Sequence, residues 1–132
     1  EKFKGLKWLS PHYINEPSKE IELLIDTKNI LANIKEKKIF MTDYLIYSSI
    51  LQNQFASPNK WYDDLSVPKK GNKFYNEYKR FFIAKLKTNK IERVYLIRKE
   101  KSFFFDEFIK NCITSNQLNE ILMEIEIDKC KF

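Results

Sequence analysis

The residues that most restrict how this chain can fold are Lys38-Ile39-Phe40-Met41-Thr42. They form a short apolar run that passes through Asp43 and Tyr44 into a helical pattern. With no polar alternation, such a run has to be covered on both faces, as a buried strand in an α/β sheet is. We expect it to be the central strand. In open α/β sheets ligands gather outside the carboxyl ends of the strands, so Thr42, Asp43 and Tyr44 are expected where a site would form. Asp43 has three available roles: binding a cation, accepting a hydrogen bond from a sugar hydroxyl, or capping the helix that follows. Capping is the commonest of these at such a place.

The flanking pattern supplies the layers. At the amino end Phe3, Leu6, Trp8 and Leu9 suggest an extended segment, turned at Pro11, with His12 as a surface or packing residue. Ser18 is a natural N-cap, and Glu20 and Glu22 suit the positive end of a helix dipole. Ile21, Leu24, Ile25, Lys28, Leu31 and Ala32 recur at helical spacing, so a helix is expected to about Glu36. A second helix is expected from Tyr44 to Asn53. Gln54 to Asn72 is long for a connection and holds Pro58, Pro68 and Gly71. Its Phe55, Trp61, Tyr62 and Leu65 argue for an ordered excursion across the strand ends near Asp43. Asn72 should cap a third helix to about Thr88, with Phe74, Tyr75, Tyr78, Phe81, Phe82 and Leu86 assigned to the core. Asn89 and Lys90 end it.

Ile91 to Arg98 reads as the second strand. Ser102 should cap a fourth helix that buries Phe104, Phe105, Phe108, Ile109 and Cys112, and Thr114 to Asn119 reads as a polar loop. Ile121 to Asp128 is the third strand, and its outward Glu124 and Glu126 suggest an edge. Strands separated by helices imply right-handed crossovers. The expectation is one α/β domain over residues 1–132, small, three-layered and Rossmann-like, with a mostly parallel sheet of three or four strands flanked by helices.

Composition excludes several function classes. With only 2 Gly, neither a dinucleotide-binding loop nor a P-loop can be built. The net charge is +6, but 21 of the 24 basic residues are Lys and acids are interspersed with them. Arg is the residue that reads phosphates and bases bidentately, so nucleic acid is not the expected partner. Two Cys and one His cannot assemble a structural zinc site, and no metal or cofactor is expected. Ser48, Ser49 and Ser57 have no partner histidine for nucleophilic catalysis. Glu124, Glu126 and Asp128 with Lys129 match an acidic nuclease strand only weakly. No run approaches the roughly 18 apolar residues of a membrane span, and no signal peptide is apparent.

Two features stay open on the residues alone. Asp63 and Asp64 beside Trp61 and Tyr62 suit sugar stacking and hydroxyl recognition, or else an aromatic loop anchor with solvated acids. Cys112 and Cys130 suit either two buried thiols in a reducing compartment or a disulfide in an oxidising one. A disulfide closing so short a loop would add about 3 kcal/mol.

Met41-Thr42-Asp43-Tyr44, then Ala56-Ser57-Pro58-Asn59-Lys60-Trp61-Tyr62-Asp63, then Pro68 with Phe74-Tyr75-Asn76-Glu77-Tyr78-Lys79-Arg80-Phe81-Phe82 carry a likeness over nearly the whole chain. Leu6-Lys7-Trp8-Leu9-Ser10-Pro11 and the spacing of the two Cys fit it too. The chain resembles the soluble carboxyl-terminal extracytoplasmic part of bacterial multi-spanning membrane glycosyltransferases. That class uses polyprenyl-phosphate-linked sugars and is related to the protein mannosyltransferases. The resemblance implies a domain excised from a larger membrane protein, which accounts for a start at Glu1. It places the domain on the periplasmic face of the inner membrane, with a cytoplasmic setting as the alternative, and implies a Cys112–Cys130 disulfide. The catalytic acids would lie in the membrane-embedded half, so this domain alone would not be catalytic. It would assist acceptor or lipid-linked sugar binding through Asp43, Tyr44, Trp61, Tyr62 and Asp63, and its partners would be the transmembrane part of its own chain and a carbohydrate or polyprenyl-phosphate sugar. A basic nucleic-acid-binding domain and a small standalone enzyme are the alternatives.

Overall fold

The computed structural model describes residues 13–42, 46–51, 57–59, 62, 65–98 and 114–130, and among these the chain forms three helices and four strands. In chain order they are α1 (Pro17–Ala32), β1 (Lys38–Met41), α2 (Ile46–Leu51), α3 (Tyr75–Thr88), β2 (Arg93–Ile97), β3 (Thr114–Gln117) and β4 (Leu122–Glu126). The strands make one sheet in the order β1-β2-β4-β3.

The period of two along β2 divides the interior into two cores. Val94 and Leu96 pack with Phe82 and Leu86 of α3, together with Ile39, Met41, Ile125 and Ile127 from the neighbouring strands. Tyr95 and Ile97 point the other way, to Leu24 and Leu31 of α1, Tyr47 of α2, Phe40 and Leu122. Helices therefore cover both faces, and the mixed α/β class holds.

The mostly parallel sheet does not form. Only β1 and β2 run parallel, whereas β2–β4 and β3–β4 are antiparallel. The β3–β4 pairing follows from Thr114–Gln117, expected as a polar loop. It is a strand, joined to β4 through residues 118–121, and so short a connection can only make an antiparallel hairpin. All four of its residues are exposed, so no apolar alternation marks it. It takes the edge expected for the third strand, and β4 lies inside the sheet. Among the described residues β1 correspondingly ends the sheet rather than occupying its centre. Its continuous apolarity reports that both faces are covered, and says nothing of how many strands lie beside it.

The helices are shorter than their apolar patterns. α1 starts with Pro17 in its first turn, Glu16 is its N-cap, and Ser18 lies inside the helix. Its buried stripe is Glu20, Leu24, Thr27 and Leu31, while Ile25 and Ala32 face out. α3 buries Phe82 and Leu86 and partly buries Tyr75 and Tyr78, but Phe74 and Phe81, expected in the core, are exposed. Asn72 serves the turn before α3, where its Oδ1 accepts from the Phe74 N–H at 2.9 Å. Asn89 caps the carboxyl end as expected. The amino-terminal segment with His12 and the fourth helix expected after Ser102 lie outside the described residues. No helix among the described residues is long and apolar enough to cross a membrane.

One side chain ties the hairpin to α1. Asn119 Oδ1 accepts from the N–H groups of Ile121 (3.0 Å) and Leu122 (2.8 Å). Its Nδ2 donates to Asp26 (2.7 Å) and to Thr27 Oγ1 (3.1 Å). Asn119→Ala should lower unfolding free energy by about 2 kcal/mol in urea titration, because backbone donors beside the core lose their acceptor. Asn119→Asp should lose about as much, since it keeps that acceptor but sets a second carboxylate against Asp26.

Candidate functional site

The carboxyl ends of β1 and β2 lie side by side, with Met41 paired to Leu96. At the β1 end a hydroxyl cluster holds the long connection. Tyr62 is 1% exposed, and its ring lies in the α3-side core with Val67. Tyr47 of α2 belongs to the opposite core, where its hydroxyl donates to Leu24 O at 3.4 Å. Tyr47 and Tyr62 thus lie in cores on opposite faces of the sheet.

A buried phenol needs partners, and the connection itself supplies them. The Asn59 N–H donates to the Tyr62 oxygen at 3.2 Å, and Tyr62 and Ser57 Oγ are 2.5 Å apart. Ser57 Oγ also lies 2.9 Å from Asn59 O and 3.3 Å from Phe40 O, the latter in β1. A hydroxyl has one hydrogen, so Tyr62 donates to Ser57 and Ser57 donates to Asn59 O, the nearer carbonyl. Asn59 Nδ2 reaches Ser66 O at 3.3 Å and closes the turn. Burial raises the Tyr62 pKa above the ordinary phenol value, against smaller opposing contributions from Ser57 and the Asn59 N–H. The phenol is a neutral anchor.

Of the residues singled out in the sequence, Tyr62 is therefore enclosed, and its ring offers no face to a ligand. Asp43, Tyr44, Trp61 and Asp63 lie outside the described residues, as does Cys112. Thr42 is buried where β1 ends. Cys130 is half-buried against the α3-side core, and its N–H donates to Ile127 O at 3.0 Å. Among the described residues no three His, Cys, Asp or Glu side chains come together as a metal site would require.

A second cluster, unmarked in the sequence, occupies the end of β2. Arg98 follows the strand with φ at +55°, a conformation uncommon outside glycine. Its N–H donates to Ile121 O at 2.8 Å, which aims the side chain at the start of α1. The guanidinium lies 3.9 Å from the buried Glu20 carboxylate and 4.5 Å over the Tyr13 ring. Tyr13 donates to Glu120 at 2.7 Å, and Lys19 Nζ sits 3.3 Å from the same carboxylate. The bonds from Tyr13 and Lys19 hold the Glu120 pKa below its usual value. Two acids face two bases around one aromatic ring, a balanced arrangement that joins α1, β2 and the hairpin turn. The available signals were weak: one of only three Arg at a strand end, and an acid on the α1 stripe.

Comparison with protein-family models, curated proteins and solved structures finds no match for this chain.

The Arg98–Glu20 contact makes a measurable prediction. Arg98→Gln should destabilise by about 3 kcal/mol, because it removes the cation beside a carboxylate held in the interior. Glu20→Gln in the same chain should recover part of that loss, giving a coupling of about 1 kcal/mol or more in a double-mutant cycle followed by denaturation.

Proposed function

We propose that this chain is a non-catalytic domain of a membrane glycosyltransferase of the polyprenyl-phosphate-sugar-dependent class, and that it assists binding of the acceptor or of the lipid-linked sugar. One observation supports this above the others. In the connection that includes Trp61 and Asp63, Ser57 and Tyr62 share a hydrogen bond, and Ser57 Oγ lies 3.3 Å from Phe40 O near the carboxyl end of β1. A buried tyrosine that anchors part of a connection near a strand end lies at the position where α/β sheets gather ligands. The parallel β1–β2 pair supports the Rossmann-like part of the reading at that end of the sheet. The sequence likeness set out above supplies the class of ligand.

In this reading Trp61 offers a face for a sugar ring, while Asp63, Asp43 and Tyr44 accept from or donate to its hydroxyls. Tyr62 acts through position alone. The domain would stand on the extracytoplasmic side, next to the transmembrane part of its own chain, and a Cys112–Cys130 disulfide would close its last segment.

Titration of the chain with a micelle-solubilised polyprenyl-phosphate sugar, followed by Trp fluorescence, tests the binding. Saturable quenching is expected, weakened several-fold to about tenfold in Trp61→Ala, since losing a stacked aromatic costs on the order of 0.5–1.5 kcal/mol. Absence of saturable binding to lipid-linked sugars and to free oligosaccharides alike would overturn the reading. Compartment is tested separately. Non-reducing mass spectrometry after native oxidation should find Cys112 and Cys130 joined in one peptide pair, and two alkylated thiols would count against an extracytoplasmic site.

A further inference from the structure

The net charge of the chain is concentrated in one stretch. Between Leu65 and Lys90 stand eight basic residues and a single acid, Glu77, a net charge of +7 against +6 for all 132 residues. The acids interspersed with lysine elsewhere leave the remaining 106 residues at −1. The same stretch exposes large apolar side chains: Leu65 at 97%, Phe74 at 56% and Phe81 at 43%.

Helical geometry arranges these groups. Residues seven apart on a helix lie almost in line along its axis. Phe74 and Phe81 form one exposed row, from the N-cap of α3 into its body, and Arg80 and Lys87 form a second, with Lys73 exposed in the turn just before the helix. Between them runs a narrow third row of Glu77 and Ala84, both exposed. The cations and rings belong to one surface, since Lys73 Nζ lies 4.8 Å from the centre of the Phe74 ring and Lys85 Nζ lies 5.6 Å from that of Phe81. Core packing explains Phe82 and Leu86 on the opposite side of α3 but neither of these rows.

We infer that the outer face of α3, with the Leu65 turn before it, is a docking surface for an anionic lipid bilayer. Aromatic rings beside a lysine row suit the boundary between headgroups and acyl chains, where rings enter and ammonium groups stay with the phosphates. A nucleic acid fits less well. Seven of the eight basic residues are Lys, which lack the planar fork that pairs with phosphate or base edges, and a protruding aliphatic Leu65 has no base to stack on. The inference does not rest on the glycosyltransferase reading, because it requires neither a sugar nor a polyprenyl chain.

Vesicle co-sedimentation of the 132-residue chain tests it, with vesicles of phosphatidylcholine alone or mixed with phosphatidylglycerol and no glycolipid. The chain should bind the mixed vesicles, bind neutral ones about tenfold or more weakly, and release as salt is raised. Lys73→Gln/Arg80→Gln/Lys87→Gln should weaken binding to mixed vesicles about tenfold or more. Phe74→Ser/Phe81→Ser, which leaves every charge in place, should weaken it several-fold. All five positions are exposed, so circular dichroism of both variants should match the parent. Equal binding to neutral and mixed vesicles, or either folded variant binding as the parent does, would overturn the inference. So would displacement from mixed vesicles by duplex DNA or single-stranded RNA at concentrations below that of the lipid. A sugar-binding failure in the separate titration leaves this result untouched, and the reverse holds too.

Discussion

A single buried hydroxyl sets the register of the sheet. Tyr95 lies in the interior strand β2 with no exposed surface, and a phenol there must have a partner. Glu124, directly opposite on β4, accepts its hydrogen at 2.6 Å. Burial first, then that bond, pushes the Tyr95 pKa well above the ordinary phenol range, so the proton stays on the tyrosine. The same row continues in both directions. Phe40 of β1 meets the Tyr95 ring edge-on at 6.1 Å, and Asn116 of β3 lies opposite Glu124 with its amide 3.4 Å from the other carboxylate oxygen. All four strands are indexed along one line. A slip of one residue in β4 would turn Ile125 out of the α3-side core and bring Glu124 into it.

From that registered sheet the two strand ends take different characters. At the end of β1 the connection from α2 is fastened by neutral hydroxyl and amide hydrogen bonds around Tyr62. At the end of β2 the fastening is ionic, with Arg98 between Glu20 and Tyr13 and with Glu120 held by Tyr13 and Lys19. The first joins Ser57, Asn59 and Tyr62 to one another next to β1. The second uses up its charges internally and acts as a brace for α1. The exposed positive charge lies on neither end, but along α3 on one flank of the sheet.

Much of the fold was legible because its periodicities are strong. β1, β2 and β4, and helices α1, α2 and α3, stand where the apolar patterns put them, within a few residues at each end. β3 was not legible, since Thr-Ser-Asn-Gln has no apolar position and its pairing comes wholly from a neighbouring strand. The α3 stripe holds six apolar side chains, more than the core takes: a helix lying on a sheet has room for about one side, so Phe74 and Phe81 stay outside. Of the candidate site, Ser57 of the long connection lies beside Phe40 of β1 and Tyr62 is buried as an anchor, while Asp43, Tyr44, Trp61 and Asp63 lie outside the described residues. The Arg98 cluster was only faintly marked because its members are separated by up to 107 residues and meet through the hairpin turn.

By itself, then, the sequence determined the local elements and the two-sided burial of β1, because apolar spacing commits a backbone to a period before any partner is present. It also determined the charge concentrated between Leu65 and Lys90. Tertiary structure alone decided the antiparallel placement of β4, the position of β1 at the end of the sheet and the strand character of Thr114–Gln117, since pairing depends on which edges are free when the cores close. It alone decided that Tyr62 faces inward while Phe74 and Phe81 face outward. Those outcomes rest on how much apolar surface each side of the sheet can cover, a quantity no single stretch of chain contains.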